Sequence, residues 1–272
     1  MISVIIAAYN EEQRLPDSLV RIDTCLATLD TQYEIIVVDD GSSDLTAVVS
    51  KALSYRIKNL TVLRYEKNMG KGYALRYGVA HSVGDHVLVT DADLSTPIDE
   101  LLKLLPLVAG NRNHIAIGSR ALAESDVIKR QPWWRQGMGR IFNQLVRLIV
   151  LSGFHDTQCG FKLFEGNTAR RLFREARINR FAYDVEILAL AISSGCKVCE
   201  VPIRWINAPG SKVHPVRDSL QMLKDLIRIR WSTGYVHQNR IHWRLHPAAV
   251  PAVAVTRNFR HQSSNRNIHK AL

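Results

Sequence analysis

Short apolar runs alternate with helix-like segments along the first 120 residues of this 272-residue chain. Strand-like runs that alternate with helical periodicity are typical of a mostly parallel sheet with helices packed on both faces. The sequence therefore predicts an α/β fold of the Rossmann-like kind. The predicted strands cover residues 4–8, 33–38, 61–65, 86–91 and 115–118, and the helices between them run to about residue 29 and over residues 45–53, 71–81 and 97–107.

The pattern changes beyond residue 120. A helix is predicted over residues 138–151, a loop over 156–162, helices near 169 and over 184–193, a strand over 197–205, a loop over 207–212 and a basic helix over 216–231. We expect one large domain over residues 1–231. From residue 232 to residue 272 the chain has no acidic residue, which predicts a basic, flexible tail.

The chain carries a formal charge of +11 and has a pI near 9.7. Such a charge favours polyanionic partners, which include nucleic acid, an anionic membrane face and phosphate-rich small molecules. No run approaches the ~20 apolar residues that span a bilayer, and the first residues resemble a core strand and not a signal peptide. We therefore expect a cytoplasmic protein, either in the cytosol or on the cytoplasmic face of a membrane.

Two of the four cysteines, Cys196 and Cys199, form a Cys-x-x-Cys pair of the kind that binds zinc or carries redox chemistry elsewhere. Here they fall in a predicted strand, where this spacing sends the two thiols to opposite faces. No second Cys/His pair with zinc spacing lies nearby in the sequence. We expect a reduced intracellular protein in which these thiols are structural.

Polar and charged side chains follow each predicted strand of the N-terminal half. Ligands of open α/β sheets bind outside the carboxyl ends of the strands, where the connecting loops converge. We therefore expect one binding site at that edge of the sheet. The segments concerned are residues 9–11, 39–42, 68–71, 91–93 and 119–120.

Asp91 and Asp93 end the fourth predicted strand with one residue between them. Side chains two positions apart in an extended strand share a face, so one oxygen-loving cation could bind both carboxylates. A divalent cation held in this way completes its shell with water and substrate phosphates, which points to a diphosphate ligand. The alternative is that Asp93 caps a helix that begins near Pro97.

Residues after two other predicted strands could also bind parts of a ligand. Asp39 and Asp40 could accept hydrogen bonds from a nucleobase or a ribose, or could only form the turn that Asp-Gly-Ser-Ser-Asp favours. Lys71 and the backbone amides around it precede a helix, an arrangement that suits a phosphate. Residues 68–72 lack the P-loop pattern, and a flexible loop before a helix is the alternative there.

Five segments, taken in order, resemble the motifs of family 2 glycosyltransferases: residues 3–11, 37–42, 68–72, 91–94 and 118–120. Four later segments are similar to the members that transfer glucose to a dolichyl or other polyprenyl phosphate: residues 130–134, 156–164, 181–186 and 200–205. The resemblance covers residues 1–231. It implies a GT-A type fold, a family 2 catalytic domain over that range, and transfer of a hexose from a nucleotide sugar to a polyprenyl phosphate with Mg²⁺ or Mn²⁺ as cofactor.

Positions that match the family motifs imply roles for individual residues. Asp91 and Asp93 would bind the metal and, with Arg120, act in catalysis. Ser95 stands where the mannosyl relatives have a metal-holding glutamine, which favours UDP-glucose as donor. Mannosyl transfer from GDP-mannose and transfer to a soluble acceptor are the alternatives. The donor would be bound by Ala7, Tyr9, Glu11, Asp39, Asp40, Lys71 and Asp91.

The acceptor phosphate would be bound by Arg120, Arg135 and Lys212, because cationic side chains match phosphate oxygens. Arg135 could instead be a solvated charge beside two tryptophans. The helix predicted over residues 138–151 mixes arginines with apolar residues, and it either lies in a membrane surface or packs in the core. An insoluble acceptor implies a peripheral position on the membrane, reached directly or through a membrane-protein partner.

The expected reaction is direct displacement at the anomeric carbon of the sugar, with inversion. A phosphate acceptor is already ionised at neutral pH, so no strong catalytic base is needed. Asp156 and Asp184 either orient reacting groups or are structural. A sugar-phosphate nucleotidyltransferase is a competing hypothesis, but the glycine-rich phosphate loop of that class is missing after residue 8. A nucleic-acid-binding protein is another, but the motifs of the RNA-binding modules are not found, so we expect no nucleic-acid partner.

Overall fold

The structure is a computed structural model that describes residues 1–110, 114–129, 132–208, 215–234 and 236–237. At residues 133–135, 215–217 and 236–237 it describes the backbone alone. The strands are β1 (Ile2–Ala8), β2 (Tyr33–Asp40), β3 (Leu60–Tyr65), β4 (His86–Asp91), β5 (Ile115–Ser119), β6 (Asp126–Lys129), β7 (Leu151–Ser152), β8 (Lys162–Glu165), β9 (Val198–Pro202), β10 (Arg204–Ile206) and β11 (Val236–His237). The helices are α1 (Leu15–Leu26), α2 (Thr46–Ser54), α3 (Lys71–Ala80), α4 (Leu101–Ala109), which follows a 3-10 turn at Ile98–Glu100, α5 (Trp133–Ile149), α6 (Gly166–Glu175), α7 (Tyr183–Ser193) and α8 (Pro215–Thr233).

Seven strands form one sheet in the order β3-β2-β1-β4-β8-β5-β9. Its neighbouring strands are parallel except for β8, which is antiparallel to both β4 and β5. Two short pairs, β6 with β10 and β7 with β11, lie apart from this sheet. The prediction of a mostly parallel sheet with helices around it is confirmed.

The two faces of the sheet are covered by different helices, as the alternation of side chains along β1 illustrates. Ile5 packs in a core with residues of α3, α5, α6, α7 and α8, whereas Val4 and Ile6 pack in a second core with residues of α1 and α4. All three side chains are fully buried. Burial of each such side chain contributes about 1.5–3 kcal/mol of transfer free energy. Because alternate residues of the strand point to opposite faces, both faces of the sheet must be covered by helices.

Helix α3 begins directly after a glycine that no other residue can replace without strain. Gly70 has a φ of +100°, in a region that side chains with a Cβ disfavour. A Cβ at this position would also lie 2.5 Å from the carbonyl oxygen of Asn179. The loop before α3 is therefore packed against the segment before α7, and this packing sets the position of Lys71 at the start of α3.

The structure differs from the predicted elements in the C-terminal half. The strand predicted over residues 197–205 is two strands, because the chain leaves the main sheet at Ile203 and pairs with β6. Strand β8 follows the predicted loop over residues 156–162 without having been predicted. Cys196 and Cys199 pack in the two different cores, which confirms their opposite orientation. No helix within the described ranges has the length and apolar content needed to cross a bilayer.

Candidate active site

A cavity of about 680 Å³ opens at the carboxyl edge of the sheet. The ends of β1, β2 and β4 contribute Ala7, Asp40 and Asp91 to its wall, and α5 and α8 contribute Phe142 and Met222. This is the edge at which the sequence predicted a binding site. The expected site residues that line the cavity are Ala7, Tyr9, Glu11, Asp40, Lys71, Asp91, Asp93 and Arg120.

Of the expected site residues whose side chains the structure describes, Asp39 is the one that does not line the cavity. Asp39 is fully buried, with Oδ1 accepting a hydrogen bond from the backbone N–H of Ser42 at 3.0 Å and Oδ2 lying 3.4 Å from Nε of Arg64. Consecutive strand residues point to opposite faces of the sheet. Asp40 therefore faces the cavity and Asp39 does not. The side chain of Arg135 and all of Lys212 lie outside the described residues. Ligand contacts by these three residues stay predictions.

Asp40 ties the loop after β3 to the end of β2. Its carboxylate accepts hydrogen bonds from the backbone N–H groups of Met69 at 2.7 Å and Gly70 at 2.9 Å. It also accepts one from the side chain of Asn68 at 2.9 Å and one from the hydroxyl of Tyr65 at 2.8 Å. Burial raises the pKa of Asp40, although these hydrogen bonds oppose the shift. Asp40 therefore shapes one wall of the cavity through the loop that it holds.

Lys71 forms an ion pair with Asp91, with 2.5 Å between Nζ and Oδ1. The ammonium also lies 5.7 Å from the centre of the Tyr183 ring. Burial disfavours the charged ammonium, but Asp91, Tyr183 and Asp184 outweigh it and hold the pKa of Lys71 well above its usual range. Burial also disfavours the Asp91 carboxylate, but Lys71 and other nearby cations outweigh it and lower its pKa. Both groups are therefore charged at neutral pH.

Asp93 lines the same cavity in a different electrostatic setting. Its Oδ1 accepts a hydrogen bond from the backbone N–H of Ser95 at 3.0 Å, and its Oδ2 lies 3.6 Å from a guanidinium nitrogen of Arg14. Burial and the charge of Asp91 raise the pKa of Asp93, because neighbouring carboxylates disfavour each other's ionisation. Strand β4 ends at Asp91 and Leu94 has a φ of +46°, so a turn and not an extended strand presents the two carboxylates.

Helix capping does not explain Asp93. The 3-10 turn that precedes α4 begins at Ile98, and no side chain accepts a capping hydrogen bond at its start. The alternative role as a cap is therefore wrong.

Arg120, which follows β5, is held by three hydrogen bonds to Asp156. Its Nε lies 2.6 Å from Oδ2 and its Nη2 lies 2.9 Å from Oδ1, and its backbone N–H donates to Oδ2 at 3.1 Å. Burial alone would raise the pKa of Asp156, but the guanidinium outweighs burial and lowers it. The guanidinium also lies 5.6 Å from the centre of the Trp205 ring. A cation fixed in this orientation inside a cavity suits an anionic ligand.

The direction of β8 explains how Asp156 reaches this site. β8 is antiparallel to both of its neighbours, and its first residue, Lys162, pairs with Val89 of β4 and Ile117 of β5. An antiparallel strand begins at the edge where its parallel neighbours end. The loop over residues 156–161 therefore lies at the carboxyl edge of the sheet, although it precedes a strand.

Lys162 and Asp184 form a buried ion pair, and Nζ of Lys162 also donates to the carbonyl of Cys159. Asp184 lines the cavity. Burial raises the pKa of Asp184, although Lys162 opposes the shift. The pair joins the start of β8 to α7, which supports a structural role for Asp184.

The cavity residues that were not expected include five from three later segments of the chain. Gln158 and Gly160 come from the loop before β8, Arg180 and Phe181 from the segment before α7, and Trp205 from β10. Three of the segments that resemble the family, residues 156–164, 181–186 and 200–205, contain four of these residues. The resemblance to the family therefore marked these segments in the sequence, but their position at the cavity is known only from the structure.

Comparison with known proteins identifies the family. Residues 3–167 match the Glycosyl transferase family 2 domain. Dolichyl-phosphate beta-glucosyltransferase of Drosophila melanogaster is 42% identical over 245 residues, which cover 84% of this chain and 74% of that protein. The Homo sapiens protein of the same name is 38% identical over 250 residues, which cover 86% of this chain and 76% of that protein. The chain belongs to glycosyltransferase family 2, and it is a glycosyltransferase.

A solved structure of lower identity shares the fold. Glucosyl-3-phosphoglycerate synthase from Mycobacterium tuberculosis, crystallised with Mn²⁺, UDP-glucose and phosphoglyceric acid, is 19% identical and has a TM-score of 0.62. The match covers 86% of this chain and 79% of that chain. It confirms the predicted GT-A type architecture.

Proposed function

We propose that this enzyme transfers glucose from UDP-glucose to a polyprenyl phosphate, with inversion at the anomeric carbon. The observation that carries this function is that one cavity is lined by two neighbouring carboxylates, Asp91 and Asp93, together with a fixed cation, Arg120. In such a cavity the carboxylates would hold a divalent cation for the donor diphosphate, and the guanidinium would bind the anionic acceptor phosphate. The names of the relatives with 42% and 38% identity support glucose as the sugar and dolichyl phosphate as the acceptor.

The donor occupies the part of the cavity at the ends of β1, β2 and β4. Tyr9, which is partly exposed there, offers a ring on which a nucleobase stacks. Lys71 carries a fixed positive charge beside Asp91 and donates to the diphosphate. Ala7, Glu11 and Asp40 form the surrounding wall.

The carboxylate pair fits a divalent cation, Mg²⁺ or Mn²⁺. Within the described ranges no three His, Cys, Asp or Glu side chains converge into a complete metal centre. Two carboxylates whose charges repel each other suit a cation that takes its remaining ligands from water and a diphosphate. When bound, the cation stabilises the negative charge that develops on the departing nucleoside diphosphate.

The acceptor phosphate binds at Arg120. Asp156 fixes the guanidinium from one side, and the remaining N–H groups donate to phosphate oxygens. A phosphate monoester has a second pKa of about 6, so at neutral pH its oxygen attacks without a general base. Arg135 and Lys212 add further positive charge to this acceptor site.

The enzyme reaches its insoluble acceptor by lying on the membrane surface. On α8, Leu220, Ile227 and Trp231 recur at intervals of seven and four residues and are exposed, Trp231 by 85%. Lys224 and Arg228 are exposed on the same helix. Apolar side chains at this spacing lie on one face of a helix, and flanking cations bind anionic lipid headgroups.

Helix α5 has one side that is buried in the core and another that is exposed. Val146 and Val150 at its C-terminal end are fully buried in the core. Ile141 and Leu148 are exposed by 60% and 76%, and Arg147 is exposed beside them. One face of α5 therefore packs inside the protein, while the other is free to contact a membrane together with α8.

Flotation with vesicles tests this membrane contact. Leu220→Ser combined with Ile227→Ser should reduce binding to vesicles that contain anionic lipid by about tenfold, because two exposed apolar side chains are lost from the proposed face. The matched control is Leu45→Ser combined with Val48→Ser, which removes two side chains that are each 60% exposed elsewhere on the surface. Equal binding by both double variants would exclude α8 as the membrane-binding face.

A transfer assay tests the reaction. The protein is incubated with Mg²⁺ or Mn²⁺, labelled UDP-glucose or labelled GDP-mannose, and either a polyprenyl phosphate or phosphoglyceric acid as a soluble acceptor. We expect label in the lipid phase from UDP-glucose alone, and loss of transfer with EDTA. Label in the lipid phase from GDP-mannose alone would identify a mannosyltransferase, and label on phosphoglyceric acid would identify a soluble acceptor.

A further inference from the structure

Gly160 lies directly against the carboxylate of Asp91. A Cβ built on Gly160 would stand 2.5 Å from both Cγ and Oδ1 of Asp91 and closer still to Oδ2. Gly160 does not have a positive φ, so its backbone does not require a glycine. The nearest obstacle to a larger residue here is one functional group, and the Asp91 carboxylate would have to shift to make room for it.

Asp91 would lose contacts if it moved away from a larger residue at this position. On another side its Oδ1 pairs with Lys71 Nζ at 2.5 Å. Its backbone is held as well, because residue 91 pairs with Ala7 of β1 and its carbonyl accepts a hydrogen bond from the N–H of Leu94. A side chain at position 160 would therefore turn the carboxylate away from Lys71 or displace the loop before β8.

The glycines of α5, one of which lines the cavity, have no such restriction. A Cβ on Gly137 or on Gly139 of α5 would meet no atom within 4 Å. Gly70 is also tightly packed, but mainly against backbone, whereas the three atoms nearest to a Cβ on Gly160 all belong to the Asp91 carboxylate.

We propose that Gly160 is a positioning residue that fixes the Asp91 carboxylate where the metal and the donor diphosphate meet. The backbone of the loop acts as a wall behind the carboxylate, and Lys71 holds its other side. The inference rests on the proposed function for the role of Asp91. The contact itself rests only on the distances around Gly160.

A stability cycle tests the contact without any ligand. Gly160→Ala should lower the Tm by about 2–10 °C, the range expected when one methyl group overpacks a protein of this size. In a protein that already carries Asp91→Ala the clash is absent, so the same change should lower the Tm by less than about 1 °C. Asn has the same shape as Asp. In a protein that carries Asp91→Asn, Gly160→Ala should therefore lower the Tm by as much as it does in the wild type. An equal loss in all three backgrounds would overturn the proposal.

Nucleotide binding tests the functional role. Binding of UDP is measured by calorimetry with and without Mn²⁺ for the wild type, Gly160→Ala and Gly137→Ala. We expect Mn²⁺ to tighten UDP binding in the wild type and in Gly137→Ala, and to have at least tenfold less effect in Gly160→Ala. A full Mn²⁺ effect in Gly160→Ala would overturn the role. If Mn²⁺ has no effect on UDP binding in the wild type, the proposed metal function fails. The stability cycle then remains the test of whether Gly160 restrains the Asp91 carboxylate.

Discussion

Replacing Asp156 by Asn should destabilise the protein through Arg120. The carboxylate accepts two hydrogen bonds from the guanidinium, at 2.6 and 2.9 Å, and one from the Arg120 backbone at 3.1 Å. An Asn side chain keeps one acceptor oxygen but turns an NH₂ group towards the donors of Arg120. The Asp156 side chain is 8% exposed and that of Arg120 is 30% exposed.

The magnitude follows from that burial. Removing one partner of a fully buried ion pair costs about 3–5 kcal/mol. Because Arg120 keeps some contact with water, we expect a loss of about 2–4 kcal/mol in the free energy of unfolding. The control is Asp99→Asn, which breaks an Arg–Asp pair with Arg204 whose side chains are 53% and 38% exposed. Exposed pairs contribute about 0–1 kcal/mol, so this control should lose at most that amount.

Urea unfolding followed by circular dichroism measures both losses. The pKa of Asp156 is below its ordinary value, so the stability that ionised Asp156 supplies is present above about pH 4 and is lost as the pH falls through the lowered pKa. The gap between the wild type and Asp156→Asn should therefore be constant near neutral pH and close only below about pH 4. Loss of a fixed guanidinium should also raise the KM for the polyprenyl phosphate and leave UDP affinity unchanged. A loss no larger than that of Asp99→Asn would refute the reasoning.

Two further predictions concern the carboxylate and the ion pair beside it. Asp91→Asn should reduce transfer at least about 100-fold while the Tm stays within a few degrees of the wild type, because it removes a charge in the cavity but not a side chain; near-normal turnover would exclude Asp91 from catalysis. Lys162→Met should reduce the free energy of unfolding by about 3–5 kcal/mol, because it leaves the buried carboxyl group of Asp184 without its partner. A loss below about 1 kcal/mol in chemical denaturation would contradict this estimate.

The parallel part of the fold was predictable because each of its strands repeats the same local signal. Residues 33–38 and 86–91 are apolar runs followed by polar turns, and their helices have the matching periodicity. The carboxyl-edge rule then placed Asp40, Asp91 and Arg120 at one site without any knowledge of tertiary contacts.

The remaining parts depend on contacts that a local pattern does not carry. β8 has only four residues, and it begins with a lysine that is buried because Asp184, distant in sequence, neutralises it. Asp39 and Asp40 are neighbours with the same chemistry, and only the register of β2 separates the buried carboxylate from the one at the cavity. The apolar wall from α5 and α8 follows from the packing of helices, which the spacing of apolar residues alone does not determine.

The antiparallel course of β8 has a functional consequence. It places one loop, residues 156–161, between the end of β4, which carries Asp91, and the end of β5, which precedes Arg120. Asp156 at the start of this loop orients Arg120, and Gly160 near its end packs against the Asp91 carboxylate. One short segment thus sets the positions of Asp91 and Arg120, and under the proposed function it would fix the distance between the donor and the acceptor. Changes at its two ends should therefore be separable, with Asp156→Asn acting on the acceptor and Gly160→Ala acting on the donor.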